Sequence, residues 1–85
     1  MVIDVLYDGG WRTIEPHCHG TTTAGNPAIR VYQTGGFSRS GEQVGWKLML
    51  VSQISGTRST DARFAGPRPG YRKGDRGMST IHCEL

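Results

Sequence analysis

Only two cysteines stand among the 85 residues, Cys18 and Cys83. That is too few for the disulfide framework that stabilises many small secreted domains. No apolar run approaches the roughly 20 residues that a membrane-crossing helix needs. The opening Met1-Val2-Ile3-Asp4 lacks the basic stretch and long apolar core of a secretory leader. A cytoplasmic protein with no membrane partner is therefore expected. Catalytic signatures are missing as well. There is no Gly-x-Ser-x-Gly elbow, no Gly-Lys-Ser/Thr phosphate loop, no Cys-x-x-Cys pair and no evident pair of carboxylates in a pocket. These absences argue against a hydrolase of the elbow type, a P-loop enzyme and a zinc ribbon. The expectation is a protein without catalysis and without a cofactor.

What the chain does contain is glycine, 13 residues of it, about twice the usual share of roughly 7%. The pairs Gly9-Gly10 and Gly35-Gly36 favour a turn-rich β-fold over a helical bundle. At 85 residues the chain makes one domain, residues 1–85. A domain of this size buries only about 60–65% of its unfolded surface, so self-association into a homo-oligomer would help it.

Alternation of apolar and polar residues outlines short strands. The first is 2–7, followed by a hairpin turn at Asp8-Gly9-Gly10, where Asp-Gly and Gly-Gly supply positive φ. The second is 11–15, with Trp11, Thr13 and Glu15 on one face and Arg12 and Ile14 on the other; Pro16, which has no N–H to donate, is expected to end it. A polar loop is expected over 17–26. Strands 29–33 and 45–51 follow, with a glycine-serine loop between them. Ile29 and Val31 should enter the core while Arg30 and Tyr32 face outward; Trp46, Leu48 and Leu50 should share one face, the more core-like one, and Lys47 and Met49 the other. A further strand lies within 54–60, exposed on one face or at an edge. Residues 61–64 read as one helical turn, 66–71 as a stiff proline-rich connection, 74–77 as a turn, and 78–85 as a last strand with Ile81, Cys83 and Leu85 on its apolar face. Five or six short strands, at most one short helical turn and glycine turns together suggest an all-β small barrel, which closes most of its own edges.

Several segments resemble the WYL domain, an SH3-like, Sm-related β-barrel of bacterial transcription regulators and defence proteins. Arg12-Thr13-Ile14-Glu15-Pro16 is similar to the family's strand ending in Glu-Pro. Arg30-Val31-Tyr32-Gln33 and Gly45-Trp46-Lys47-Leu48 resemble two later strands, with Lys47 where the family's motif has Tyr. Small stand-alone bacterial and phage proteins of this type carry segments similar to Ala24-Gly25-Asn26, Gly36-Phe37-Ser38-Arg39-Ser40-Gly41 and the Pro-Arg-Pro-Gly-Tyr turn of 67–71. The resemblance implies a regulatory or phage-defence sensor that binds single-stranded nucleic acid or a nucleotide. The chain has no room for the helix-turn-helix that usually accompanies the family, so a binding surface is what the resemblance implies.

Charge placement points the same way. Net charge is +3, and residues 58–76 hold six of the ten basic residues but only two of the seven acidic ones. A local basic segment suits an anionic partner, and equally a solvated loop. The candidate binding residues are Arg30, Tyr32, Gln33, Ser38, Ser40 and Lys47 around the central strands, with Arg68, Tyr71, Arg72 and Lys73, joined by Arg76, on the basic connection. Arg and Lys meet phosphates, Gln and Ser hydrogen-bond bases or phosphates, and aromatic rings stack bases. The alternative for Arg30 and Lys47 is an ordinary exposed ion pair with Glu15 or Glu42. A different use of the surface is an SH3-type protein-interaction groove of Trp46, Phe37 and Tyr71, or a structural oligomer with no small ligand. His17, Cys18 and His19 with His82 and Cys83 comprise every histidine and cysteine. They lack zinc-motif spacing, and no metal site is assigned to them.

Overall fold

The structure, a computed structural model, describes residues 2–38, 41, 44–71 and 73–84. Among them are six strands: β1 (Ile3–Tyr7), β2 (Gly10–Thr22), β3 (Pro27–Gly36), β4 (Gly45–Leu50), β5 (Ile54–Ser59) and β6 (Met78–Glu84). The only helical element among them is a 3-10 turn at Val51–Gln53. The expected helical turn at 61–64 does not form. All pairings are antiparallel, in the order β4-β3-β2-β1-β5, with β6 also on β2. Among the described residues the sheet is not closed.

The first hairpin turns at Asp8 (φ 51°) and Gly9 (φ 87°), the left-handed pair that a two-residue turn matched to strand twist requires. Beyond it β2 runs 13 residues, through the proline expected to stop it. Pro16 pairs with Val31 and Cys18 with Arg30, so His17 is an extra residue, a β-bulge. A bulge is where a ladder tolerates proline, because the interrupted pairing asks for no donor there. The expected loop at 17–26 is thus mostly strand, and only its last part turns, with Gly25 donating to the Thr22 carbonyl at 2.8 Å. One edge of β2 is held by β3. The other is shared, β1 taking Gly10 to Ile14 and β6 taking Cys18 to Thr22.

Directly opposed residues of paired strands share a face. The β3–β4 register places Val31 opposite Lys47 and Ile29 opposite Met49, and on the other face Tyr32 opposite Trp46 and Arg30 opposite Leu48. The inner face carries the main core of Val5, Ile14, Val31 and Met49, all fully buried. The faces of β4 are therefore the reverse of the expectation: Met49, with Lys47 beside it, is on the core side, whereas Trp46 and Leu48 face away. On that outer face a smaller cluster of Cys18, Ala28 and Met78 packs with Leu50, Tyr71 and Ile81. Cys83 is exposed, so β6 does not present the apolar row expected of it. The register shift opposite His19 makes His82 an extra residue and breaks simple alternation. Leu85 lies outside the described residues.

Polar groups also enter the inner face. Gln33 is fully buried and Arg12 is 5% exposed. The Arg12 guanidinium lies over the rings of Tyr7 (4.9 Å) and Phe37 (5.5 Å) and reaches the Gln33 Oε1 at 3.5 Å. Its buried Nε has no hydrogen-bond partner among the described residues. The two rings supply the cation–π attraction that partly replaces water.

Candidate anion-binding cleft

Residues 60–71 and 73–77 form an irregular strap over the outer face of β2, β3 and β4. Its anchor is His17, which the bulge aims outward and the strap then covers to 2% exposure. The His17 ring meets the edge of Trp46 at 4.8 Å, stacks on Phe64 at 5.1 Å and lies 5.1 Å from Tyr71. Its Nδ1 is 2.7 Å from the Glu15 carbonyl, and its Nε2 accepts the Arg68 backbone N–H at 3.1 Å. Both contacts are satisfied at once by the neutral Nδ1–H tautomer. Tyr71 donates its hydroxyl to the His17 carbonyl at 3.2 Å, and the Trp46 indole donates to the Pro69 carbonyl at 3.3 Å.

Two arginine–carboxylate forks pin the strap further. Arg68 meets Glu15 through Nε and Nη2 at 2.6 and 2.9 Å and lies 4.8 Å over the Tyr32 ring. Arg30 meets Asp75 at 2.6 and 3.2 Å, and Asp75 also accepts the Gly77 N–H at 2.8 Å. Such two-point pairs are geometrically specific as well as charged. The fork from Arg68 holds the Glu15 carboxyl below its ordinary value, against the opposing effect of burial. The fork from Arg30 does the same for Asp75, helped by the Gly77 N–H. Burial, with the nearby Asp75 and Glu84, pushes the Cys18 thiol up, so it is a poor nucleophile at neutral pH.

Between the strap and β3–β4 opens a cleft of about 610 Å³ lined by Arg30, Trp46, Tyr71, Lys73, Asp75 and Arg76, with Gly70 and Gly74. Its volume lies in the range of small-ligand sites, about 300–1,000 Å³. The Trp46 and Tyr71 rings lie nearly parallel, 25° apart with centroids at 6.0 Å. Arg30 is already paired with Asp75; Lys73 and Arg76 make no ion pair among the described residues. The lining therefore carries three cations and one anion.

The cleft gathers Arg30, Tyr71, Lys73 and Arg76 from the expected set and adds Trp46 and Asp75 to them. Other expected residues are elsewhere. Gln33 is not available to a ligand: it points into the core and donates to the Phe37 carbonyl at 2.9 Å. Lys47 faces the opposite side of the sheet from Arg30, because their opposite numbers Val31 and Leu48 do. Tyr32 supports Trp46 edge-on at 5.3 Å and carries Arg68, but does not line the cleft. Ser38 accepts the Gly41 N–H in the loop after β3 and is not part of the lining. Arg68 is engaged by Glu15. Ser40 and Arg72 lie outside the described residues. Phe37 packs on Gly10, where a Cβ would stand 2.3 Å from it, so it joins no groove with Trp46 and Tyr71. The histidines and cysteines are also divided: His17 and Cys18 are buried, while His19 and His82 face each other at 5.3 Å. Among the described residues no group of three such side chains is placed to hold a metal ion.

No family model, no curated protein and no solved structure matches the chain. Trp46 was expected in the core or in an apolar groove rather than beside cations, and Asp75 in no site at all. The strand pattern 46–51 alternates equally well with either face inward. Asp75 sits in a glycine turn, where an acidic residue is usually a turn former. Its position one residue before Arg76 and two after Lys73 was the available signal.

Proposed function

We propose that the protein is a non-catalytic module that binds an anionic ligand carrying a flat ring, a nucleotide or single-stranded nucleic acid, in the cleft beside Trp46 and Tyr71. The observation that carries this reading is the convergence of Arg30, Lys73 and Arg76 on two half-buried aromatic rings. Cations can meet phosphate while a base stacks on an exposed ring face, an interaction of about 1–3 kcal/mol per base. The weak nucleophilicity of Cys18 is consistent with binding without chemistry. We further propose that the sheet is a small SH3-like barrel related to WYL domains. Support comes from the strand order, which puts β4 and β5 at its ends, and from the three-residue turn that links those two strands. In this reading the module senses or sequesters a nucleotide signal inside a bacterial or phage-infected cell.

Fluorescence titration tests the site. Replacing Trp11 by Phe leaves Trp46 as the sole tryptophan reporter. Nucleotides and short oligonucleotides should quench it, and affinity should fall steeply from low to physiological salt. Arg30→Ala should weaken binding about tenfold or more, the loss of a charge-assisted contact, while Lys47→Ala leaves it unchanged. Equal effects of the two substitutions, or binding insensitive to both, would refute this placement.

A second reading, self-association without a small ligand, is favoured by Leu48 and Val51 on or just after the end strand β4, with Val44 before it, all exposed. Light scattering with and without nucleotide separates it from the first.

A further inference from the structure

The cleft's charges differ in availability. Arg30 presents its fork to Asp75, at 2.6 and 3.2 Å, and Asp75 side-chain exposure is only 9%. Lys73 and Arg76 line the same space and form no ion pair among the described residues. With three cations against one carboxylate, the lining has two positive charges in excess. We infer that the cleft selects a terminal phosphate, a phosphomonoester dianion on a nucleotide, which takes the Arg30 fork from Asp75. This rests on the nucleotide reading above and narrows it.

The charge and geometry both favour the monoester. A terminal phosphate carries about −1.5 to −2 at neutral pH and offers three acceptor oxygens. It can replace the carboxylate on Arg30 in a two-point contact and still face Lys73 and Arg76. An internal phosphodiester has one charge and two free oxygens. It displaces a carboxylate of equal charge with no electrostatic gain at Arg30, and leaves one cation of the excess pair unmatched. Displacement does not strand Asp75, whose Oδ1 also accepts the Gly77 N–H at 2.8 Å. A free mononucleotide and the 5′-phosphorylated end of a strand carry the same group.

The test compares five probes by quenching of Trp46 in the Trp11→Phe protein at fixed ionic strength. They are a nucleoside 5′-monophosphate, its methyl phosphodiester, the bare nucleoside, and a trinucleotide with and without a 5′-phosphate. The monophosphate should bind roughly tenfold more tightly than its methyl ester, as expected for about one extra charge near a partly solvated cation cluster. The nucleoside should bind more weakly than either. A matching gain for the phosphorylated trinucleotide identifies a strand end as an accepted form; its absence restricts the site to free nucleotides. Lys73→Ala with Arg76→Ala should abolish the monoester preference, and neither residue holds the fold through an ion pair among the described residues. Asp75→Asn, which removes the carboxylate that competes for Arg30, should raise the affinity of both esters, provided circular dichroism shows the fold intact. Equal binding of monoester and diester by the wild type overturns this inference and leaves the nucleotide reading standing. Binding of no nucleotide or oligonucleotide overturns both.

Discussion

Arg30 and Lys47 are both cations among apolar neighbours in β-strands, yet they end in different environments. Arg30 lies on the outer face and is fixed by Asp75; Lys47 lies on the side of Met49. The carboxylates that hold the arginines make a pH prediction. Glu15 and Asp75 both have native pKa values lowered from their ordinary 4.5 and 3.8, chiefly by hydrogen bonds from Arg68 and Arg30. A lowered native pKa means the unfolded chain takes up protons first. The stability these groups contribute is complete above their ordinary values and is lost as pH falls through the lowered ones. Urea melts should therefore be flat in this respect from pH 7 down to about 5 and decline below about 4. A Glu15→Gln, Asp75→Asn double variant should start less stable at pH 7 and show a shallower acid decline. Parallel acid curves for the two proteins would show that neither pair contributes.

At the scale of elements, the strap and the bulge in β2 depend on each other. The extra residue at 17 turns an imidazole outward, and three strap or strand rings close on it. Gly70 is a close point of the docking. Its φ is +92°, and a Cβ there would stand 3.1 Å from the Trp46 Nε1, the atom that donates to the Pro69 carbonyl. Gly70→Ala should cost about 1–2 kcal/mol from the left-handed backbone alone. It should also shift Trp46 emission in the Trp11→Phe background, whereas Gly66→Ala, with nothing within 4 Å and no positive φ, should do neither. The hairpin at Asp8-Gly9 and the edge strand β5 were legible in the sequence, because turn residues and weak apolar content are local properties. The run of β2 through Pro16 was not. Its stop signal is local, but the bulge that cancels it depends on where β3 pairs.

At the scale of the molecule, two small cores lie on opposite faces of the β2–β3–β4 sheet. Four side chains, Val5, Ile14, Val31 and Met49, are the fully buried centre of the larger one. Total stability for a domain of this size is of order 4–13 kcal/mol. Ile14→Ala, which opens a cavity at a site with no exposure, should cost about 2–4 kcal/mol and leave a marginal protein. Leu48→Ala, on an exposed position, should change stability by less than about 0.5 kcal/mol. Chemical denaturation of the two variants checks the inward face of β2 against the outward face of β4, and a reversed order of costs would invert the assignment of faces.

The sequence by itself determined the all-β character, the hairpin turn at Asp8-Gly9 and the concentration of positive charge in residues 58–76, since each follows from residue type and near-neighbour spacing. It marked Arg30, Tyr71, Lys73 and Arg76 as binding candidates for the same reason. Only the tertiary structure decided which face of β4 is buried, because an alternating strand fits either way until its partner sets the register. It also decided which cations are free to meet a ligand. Arg30 and Arg68 find their carboxylates 45 and 53 residues away in the chain, and no local pattern encodes such a pairing.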